Sequence, residues 1–262
     1  MTLSSLKKVY KILDVFETAD NEMRVSDISR HACLDKSTVS RILASLSSAG
    51  YLEKNELNKA YHLSWKWFKI GNAALSKYFD IRVAAIPFLD KLAEQTDEIV
   101  HLAVLDRKEV VSIEKRGRTR ALTIGTQVGG RAPIHASALG KILISNMTEE
   151  ELLKTFGSIP LAKLTKKTIS DISKLLKEVK LIKKQGFAFD DEGCHEGIQC
   201  LAAPIKDSNG IIIAAISVSV PKLRMSKTKK ADVRTLVMQT AELISQQICA
   251  KPFLLVPRER CL

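Results

Sequence analysis

The chain has 262 residues, 45% of them apolar and 27% charged, with 12 glycines, 7 prolines and 5 cysteines. That balance excludes a disordered chain, too poor in apolar residues to offset its ordering entropy, and it excludes a collagen-like one. The formal net charge is +12, from 41 basic and 29 acidic residues, which suits a polyanionic partner.

At about 100–200 residues per domain, the length predicts two domains with room for a real core. The longest strongly apolar run, Ile211 to Val220, is about half of the roughly 20 residues a membrane helix needs, so it reads as a buried strand. Lys7, Lys8 and Lys11 interrupt any apolar core of a signal peptide. The irregularly spaced cysteines fit reduced thiols, not a disulfide framework. The expected location is the cytoplasm, with no membrane association and no cofactor or bound metal.

Leu6, Val9, Tyr10, Leu13 and Phe16 form one stripe of an amphipathic first helix. A second helix starts at Ser26 as N-cap and turns Ile28 and Ala32 inward. After the turn Ala32–Asp35, a third helix buries Val39, Ile42, Leu43 and Leu46. Its opposite face carries Ser37, Arg41, Ala44 and Ser48, flanked by Thr38, Ser40 and Ser45. Gly50 closes it. Residues 51–54 and 59–63 read as a hairpin with its tip at 55–58. Three helices and a hairpin outline a winged helix-turn-helix over residues 1–64, with the helix-turn-helix near 25–46 and the wing at 51–63.

Residues 65–80 read as a linker helix, and a helix over 81–95 bends or restarts at Pro87. Period-two runs follow at 99–105 and 109–115, and residues 121–126 suggest a third strand. Gly129–Pro133 reads as a loop, Ala136–Asn146 as a helix, and Asp171–Gln185 as a lysine-rich helix capped by Ser170. Phe187–Asp190, Ile198–Ile205 and Ile211–Val220 complete a sheet, the last two joined at Asp207–Gly210. Thr235–Cys249 is a last amphipathic helix, and 251–262 a tail. Strands grouped with helices, without strict alternation, predict an α+β domain over 81–250.

Net charge is −1 over residues 1–35 and +4 over 36–70, so the third helix and wing are basic. A small, polar helix face fits deep in a DNA major groove. Lys36 and Arg41 reach phosphates or guanine edges, and Ser37, Thr38 and Ser40 reach either bases or phosphates. Lys54 and Lys59 suit a wing on the neighbouring backbone. A solvated serine-rich face, or an RNA-binding or architectural winged helix, fits the same residues.

The runs Val25–Arg30, Lys36–Leu46, Gly50–Glu53 and Tyr61–Leu63 resemble the DNA-binding domain of the IclR family of transcription regulators. His101–Leu105, Arg131–Lys141, Gly186–Glu192, Gly197–Ile205 and Ala214–Ser219 resemble that family's effector domain, so the likeness extends from about Ser5 to Cys249. Two positions depart from the pattern: Cys33 and Ser64 stand where the family usually has glycine. The resemblance implies a winged helix-turn-helix, a helical linker and a GAF-like α+β effector domain with a mainly antiparallel sheet. It further implies a non-enzymatic regulator that binds a double-stranded operator as a homodimer or homotetramer and answers to a small-molecule effector, a small organic acid.

Residues 131–141 lead from a Gly-Gly loop into a helix N-terminus, where a carboxylate or phosphate can sit. This is no P-loop, because His135 stands at the first glycine and Ile142 follows Gly140-Lys141. Ser217 and Ser219 share one face of their strand. The resemblance implies an effector set of Ser137, Ala138, Leu139, Asp190, Cys200, Ser217 and Ser219. Spacing alone leaves Cys200 a buried apolar residue and the serines bonded to backbone. Cys194, His195 and Cys200, with His135, match no standard zinc spacing. Cys200 with a histidine as nucleophile and base would make the second domain an enzyme. The basic run Lys222–Lys230 reads as a solvated loop.

Overall fold

The computed structural model describes residues 3–17, 22–75, 79–117, 127–157 and 160–250. The strand expected at 121–126 and the tail at 251–262 lie outside them. The chain divides into two compact units, residues 1–77 and 78–262.

The first unit runs α1 (Leu3–Glu17), α2 (Val25–Ala32), α3 (Lys36–Ser48), β1 (Leu52–Lys54), β2 (Tyr61–Leu63) and α4 (Trp65–Leu75). Ile12, Phe16, Ile28, Val39, Leu43 and Leu52 meet in its core. In α1 the buried positions are Ile12, Val15 and Phe16, while Tyr10 is 57% exposed. The apolar residues of α1 spread over more than one face, and the core takes the Ile12–Phe16 side. Arg24, not Ser26, is the N-cap of α2, and it makes no side-chain cap bond. The wing strands are shorter than expected, and Lys59 sits in the turn at φ 59°.

Both departures from glycine have local solutions. Cys33 ends α2 in the left-handed region, at φ 52° and ψ 49°, so it adopts the conformation that glycine enters without strain. Ser64 donates from Oγ to the Gly50 carbonyl (2.5 Å), and the same oxygen accepts the Lys66 N–H at the start of α4 (3.2 Å).

The second unit holds α5 (Phe79–Thr96), β3 (Ile99–Asp106), β4 (Glu109–Arg116), β5 (Arg131–Pro133), α6 (Ala138–Leu143), α7 (Glu149–Phe156), α8 (Ile172–Gln185), β6 (Ala188–Asp191), β7 (Ile198–Lys206), β8 (Ile212–Pro221) and α9 (Lys227–Cys249). The sheet order is β5-β4-β3-β8-β7-β6, and every neighbouring pair is antiparallel. Every residue of β8 is buried, and side chains alternate between faces, so the sheet is covered on both sides. Helices α6 and α8 pack with Ala103, Ala202 and Ala215. Helices α5 and α9 pack on each other and on β3, β7 and β8.

Several expectations need correction. Residues 131–133 form the edge strand β5, because their backbone pairs with Glu109–Val111. Helix α6 is shorter than 136–146, since Ser137 caps it by accepting the Gly140 N–H (3.0 Å). Asp171, not Ser170, caps α8. Helix α5 continues through Pro87, and α9 begins eight residues earlier than Thr235, at Lys227. The sequence reading missed α7, although Thr148 and Glu151 form a capping box there.

The basic run is not a solvated loop. Arg224 and Lys229 both pair with the buried Glu98. Lys222 reaches Glu192 (2.6 Å), and Lys230 lies 3.1 Å from the centroid of the Phe189 ring. A carboxylate as buried as Glu98 needs such partners, and the run supplies them.

Gly140 sets how closely α6 approaches the chain before it. A Cβ there would overlap the Ile134 carbonyl. Gly140→Ala is expected to lower unfolding free energy by about 1–3 kcal/mol, the usual cost of overpacking, as measured by urea unfolding.

Candidate functional site

The first candidate surface is the outer face of α3. Lys36, Ser37, Ser40, Arg41, Ala44 and Ser45 are exposed, and Thr38 is half-buried. Asp35 starts the helix by accepting the Thr38 N–H and the Ser37 hydroxyl, each at 2.7 Å. The Thr38 amide and the Ser37 hydroxyl hold its carboxyl far below the usual carboxylate range. Ser37 is therefore partly committed to the cap. No hydrogen bond or ion pair among the described residues engages Lys36 or Arg41, so both are available to an outside anion.

On the wing, Lys54 is exposed, 6.0 Å from the Tyr61 ring centroid. Lys59 donates to Glu56 at 2.7 Å, so its charge is largely countered within the turn. The tip is tied down by Glu22, which accepts from Asn55 (2.9 Å) and Asn58 (2.8 Å).

The second candidate is a cavity of about 270 Å³ in the second unit. Ser137, Ala138 and Leu139 from the start of α6 line it with Asp190 of β6, Cys200 of β7, and Ser217 and Ser219 of β8. The sheet register accounts for this assembly: Asp190 lies opposite Cys200, Cys200 opposite Ser219, and Ser217 opposite His101. The sequence reading missed His101, Ser112, Arg131, Cys194 and His195, which line the same space.

Asp190 is 2% exposed and lies 3.5 Å from Lys141 Nζ, itself buried. It also accepts the N–H groups of Gly193 (3.2 Å) and Cys194 (3.3 Å). Burial pushes its pKa up, while Lys141 and these two amides pull against that shift. The Cys200 thiol sits 3.2 Å from Ser219 Oγ and is pushed up to about 12 by burial; Cys194 is pushed up to about 11 by the same cause. Neither is a thiolate near neutral pH, so neither is an activated nucleophile. Among the described residues His135 bonds no thiol; its Nε2 meets the Ala162 carbonyl at 2.9 Å. No group of three or more His, Cys, Asp or Glu residues among the described residues is placed to hold a metal.

The segment carrying Cys194 and His195 is held from outside by charge. Lys167 bridges Asp191 and Glu192, both at 2.7 Å, and Lys222 adds a second contact to Glu192. Thr165 and Thr168 donate to the carbonyls of Glu192 and Gly193, each at 2.7 Å. The Lys167 and Lys222 ammonium groups hold the Glu192 carboxyl down to about 2.

Residues 5–56 match the IclR helix-turn-helix domain, and residues 73–246 match the bacterial transcriptional regulator IclR C-terminal domain. The chain belongs to the IclR family. It is 32% identical over 247 residues to the HTH-type transcriptional regulator KdgR of Dickeya chrysanthemi, covering 94% of this chain and 80% of that protein. It is 30% identical over 246 residues to XynR of Escherichia coli, covering 94% and 97%. The crystal structure of the Thermotoga maritima IclR superposes with a TM-score of 0.80 at 27% identity, covering 94% of this chain and 99% of that one. These relatives of the IclR family are regulators of transcription, not enzymes. The chain is a regulator of this type, with a helix-turn-helix DNA-binding part and a C-terminal effector part. No helix among the described residues is long and apolar enough to cross a membrane.

His101 supplies a pH test of the cavity wall. Burial, with Lys115 nearby, lowers its pKa from 6.5 to about 4. Between those values the unfolded chain binds a proton that the folded chain does not, so stability falls as pH falls through that window. The expected slope is at most about 1.4 kcal/mol per pH unit. His101→Gln is expected to remove it, as read by urea unfolding at pH 7 and pH 5; equal acid sensitivity in both proteins would contradict this burial effect.

Proposed function

We propose that α3 reads a double-stranded operator through Lys36, Ser37, Thr38, Ser40 and Arg41, while Lys54 and Lys59 of the wing hold the adjacent phosphates. An effector carrying a carboxylate occupies the cavity in the second unit, held by Ser137, Ala138, Leu139, Asp190, Cys200, Ser217 and Ser219. Residues 65–80 are the linker between the two parts. The protein works in the cytoplasm as a homodimer or homotetramer.

One observation carries the effector reading: residues drawn from α6, β6, β7 and β8 line one cavity. Its size suits a small metabolite. The first-turn N–H groups of Ala138 and Leu139 have no intrahelical acceptors, and Ser217 and Ser219 add hydroxyls. Lys141 counters the charge of Asp190, so the carboxylate at the cavity floor does not by itself repel an acid. The oligomer is supported by exposed apolar side chains on α4, Trp65 at 80% and Phe68 at 67%, together with Tyr10 on α1. Control follows from population shift: an effector that binds one arrangement of the two parts better moves the equilibrium toward it, by no more than its difference in affinity.

Arg41→Ala is expected to weaken operator binding by about 1–3 kcal/mol and to relax base preference, leaving thermal unfolding unchanged. Lys54→Ala is expected to weaken all sequences alike and to reduce the salt slope by about one. Lys59→Ala should do less, because Glu56 already counters its charge. Fluorescence anisotropy on operator and random duplexes across a salt series measures all three.

Thermal-shift screening of small organic acids tests the cavity. A stabilising acid is expected to lose its effect in Ser217→Ala plus Ser219→Ala, with operator affinity in its absence unchanged. An undiminished shift in the double variant would move the effector elsewhere.

A further inference from the structure

Half of the chain's net charge lies in one short stretch outside the first unit. Residues 163–184 hold eight lysines, no arginine and two acidic residues, a net charge of +6 out of +12. Residues 1–70, which include α3 and the wing, carry only +3. The surfaces assigned so far therefore leave most of the basic charge without a role.

Most of this stretch is α8. Its Leu175, Leu176, Val179 and Ile182 turn inward and join the core against the sheet. Lys174, Lys177, Lys180, Lys183 and Lys184 are exposed, as are Lys163 and Lys166 on the segment before the helix. By helical periodicity, Lys174, Lys177 and Lys184 lie on the side away from the buried stripe.

These lysines are uncommitted. Many cations of the same unit are paired: Arg82 and Arg116 with Glu114, Arg131 with Asp106 and Glu109, Arg224 and Lys229 with Glu98. On α8, among the described residues, only Lys180 has an acidic partner, Glu149 at 2.6 Å. Like charges three and four residues apart weaken a helix, and Lys177, Lys180 and Lys184 stand at that spacing. The apolar stripe seats α8 without them, so the core does not call for these charges.

The chemistry of the face selects its partner. Lysine is a point charge without the planar fork by which arginine reads guanine, so it suits phosphate oxygens and prefers no base. From Lys174 to Lys184 the helix rises about 15 Å, a length over which duplex DNA carries roughly nine negative charges. A lipid surface fits less well, because an interfacial helix sinks an apolar face into the bilayer and that of α8 is already in the core.

We propose that the outer face of α8 is a second, sequence-independent surface for duplex DNA, distinct from α3 and the wing. Lys174, Lys177 and Lys184 contact phosphates there and add affinity without preference.

Fluorescence anisotropy of the full chain on a long random-sequence duplex, across a salt series, tests it. Lys174→Gln, Lys177→Gln and Lys184→Gln combined are expected to weaken binding at least about tenfold at low salt and to lower the salt slope by about two to three. Glutamine is a good helix former, so α8 is retained. Lys91→Gln, Lys206→Gln and Lys227→Gln combined remove the same charge from exposed positions elsewhere in the unit and are expected to change affinity less than about threefold. Equal losses in the two triple variants would trace the effect to net charge and not to α8. An α8 variant that binds like the wild type, while Lys54→Ala still lowers the slope, would confine DNA to the first unit. Either result overturns the second surface and leaves the operator reading standing. A wild-type chain that binds no duplex at low salt would remove both.

Discussion

Asp190 cannot stay charged in its surroundings without help, and the help comes from segments far apart in sequence. Lys141 arrives from α6, and the Gly193 and Cys194 amides arrive from the turn after β6. Satisfying this one carboxylate draws a helix, a strand and a loop to a common point, and the cavity is the space left above them. Removing a partner from a buried pair leaves the other charge stranded, so the arrangement is held more firmly than the net worth of the pair suggests. The close approach of Gly140 to Ile134 acts in the same place, seating α6 so that Ser137, Ala138 and Leu139 open onto the cavity.

The DNA-reading unit solves a comparable problem with smaller groups. Asp35 supplies the acceptor that the first turn of α3 lacks, and Glu22 steadies the wing by gripping Asn55 and Asn58. Both carboxylates hold the frame while the cations Lys36, Arg41 and Lys54 stay exposed. Acid groups thus set shape here, and the basic groups stay at the surface.

Much of this was legible in the sequence where local rules suffice. The inward face of α3, the β3–β4 pairing and the β7–β8 hairpin follow from periodicity and turn residues. The joint presence of Ser137, Asp190, Cys200, Ser217 and Ser219 at one cavity needed the family likeness, since their spacing along the chain does not bring them together. Where the fold rests on non-local pairing, the reading failed. The partners of Lys222, Arg224 and Lys229 lie on Glu192 and Glu98, far off in sequence, so the run looked like free charge. Residues 131–133 are a strand only because β4 offers its edge. The capping box that starts α7 was there to be found.

The clamp of Lys167 and Lys222 on Asp191 and Glu192 lies at the surface, whereas the grip of Asp190 on the same turn lies inside. Dissolved ions screen the outer hold and leave the inner one nearly untouched. Ionic strength therefore acts on this protein twice, on its binding to DNA and on the looseness of the wall over the cavity. A salt titration of induced and uninduced complexes blends the two unless ligand occupancy is followed at every step.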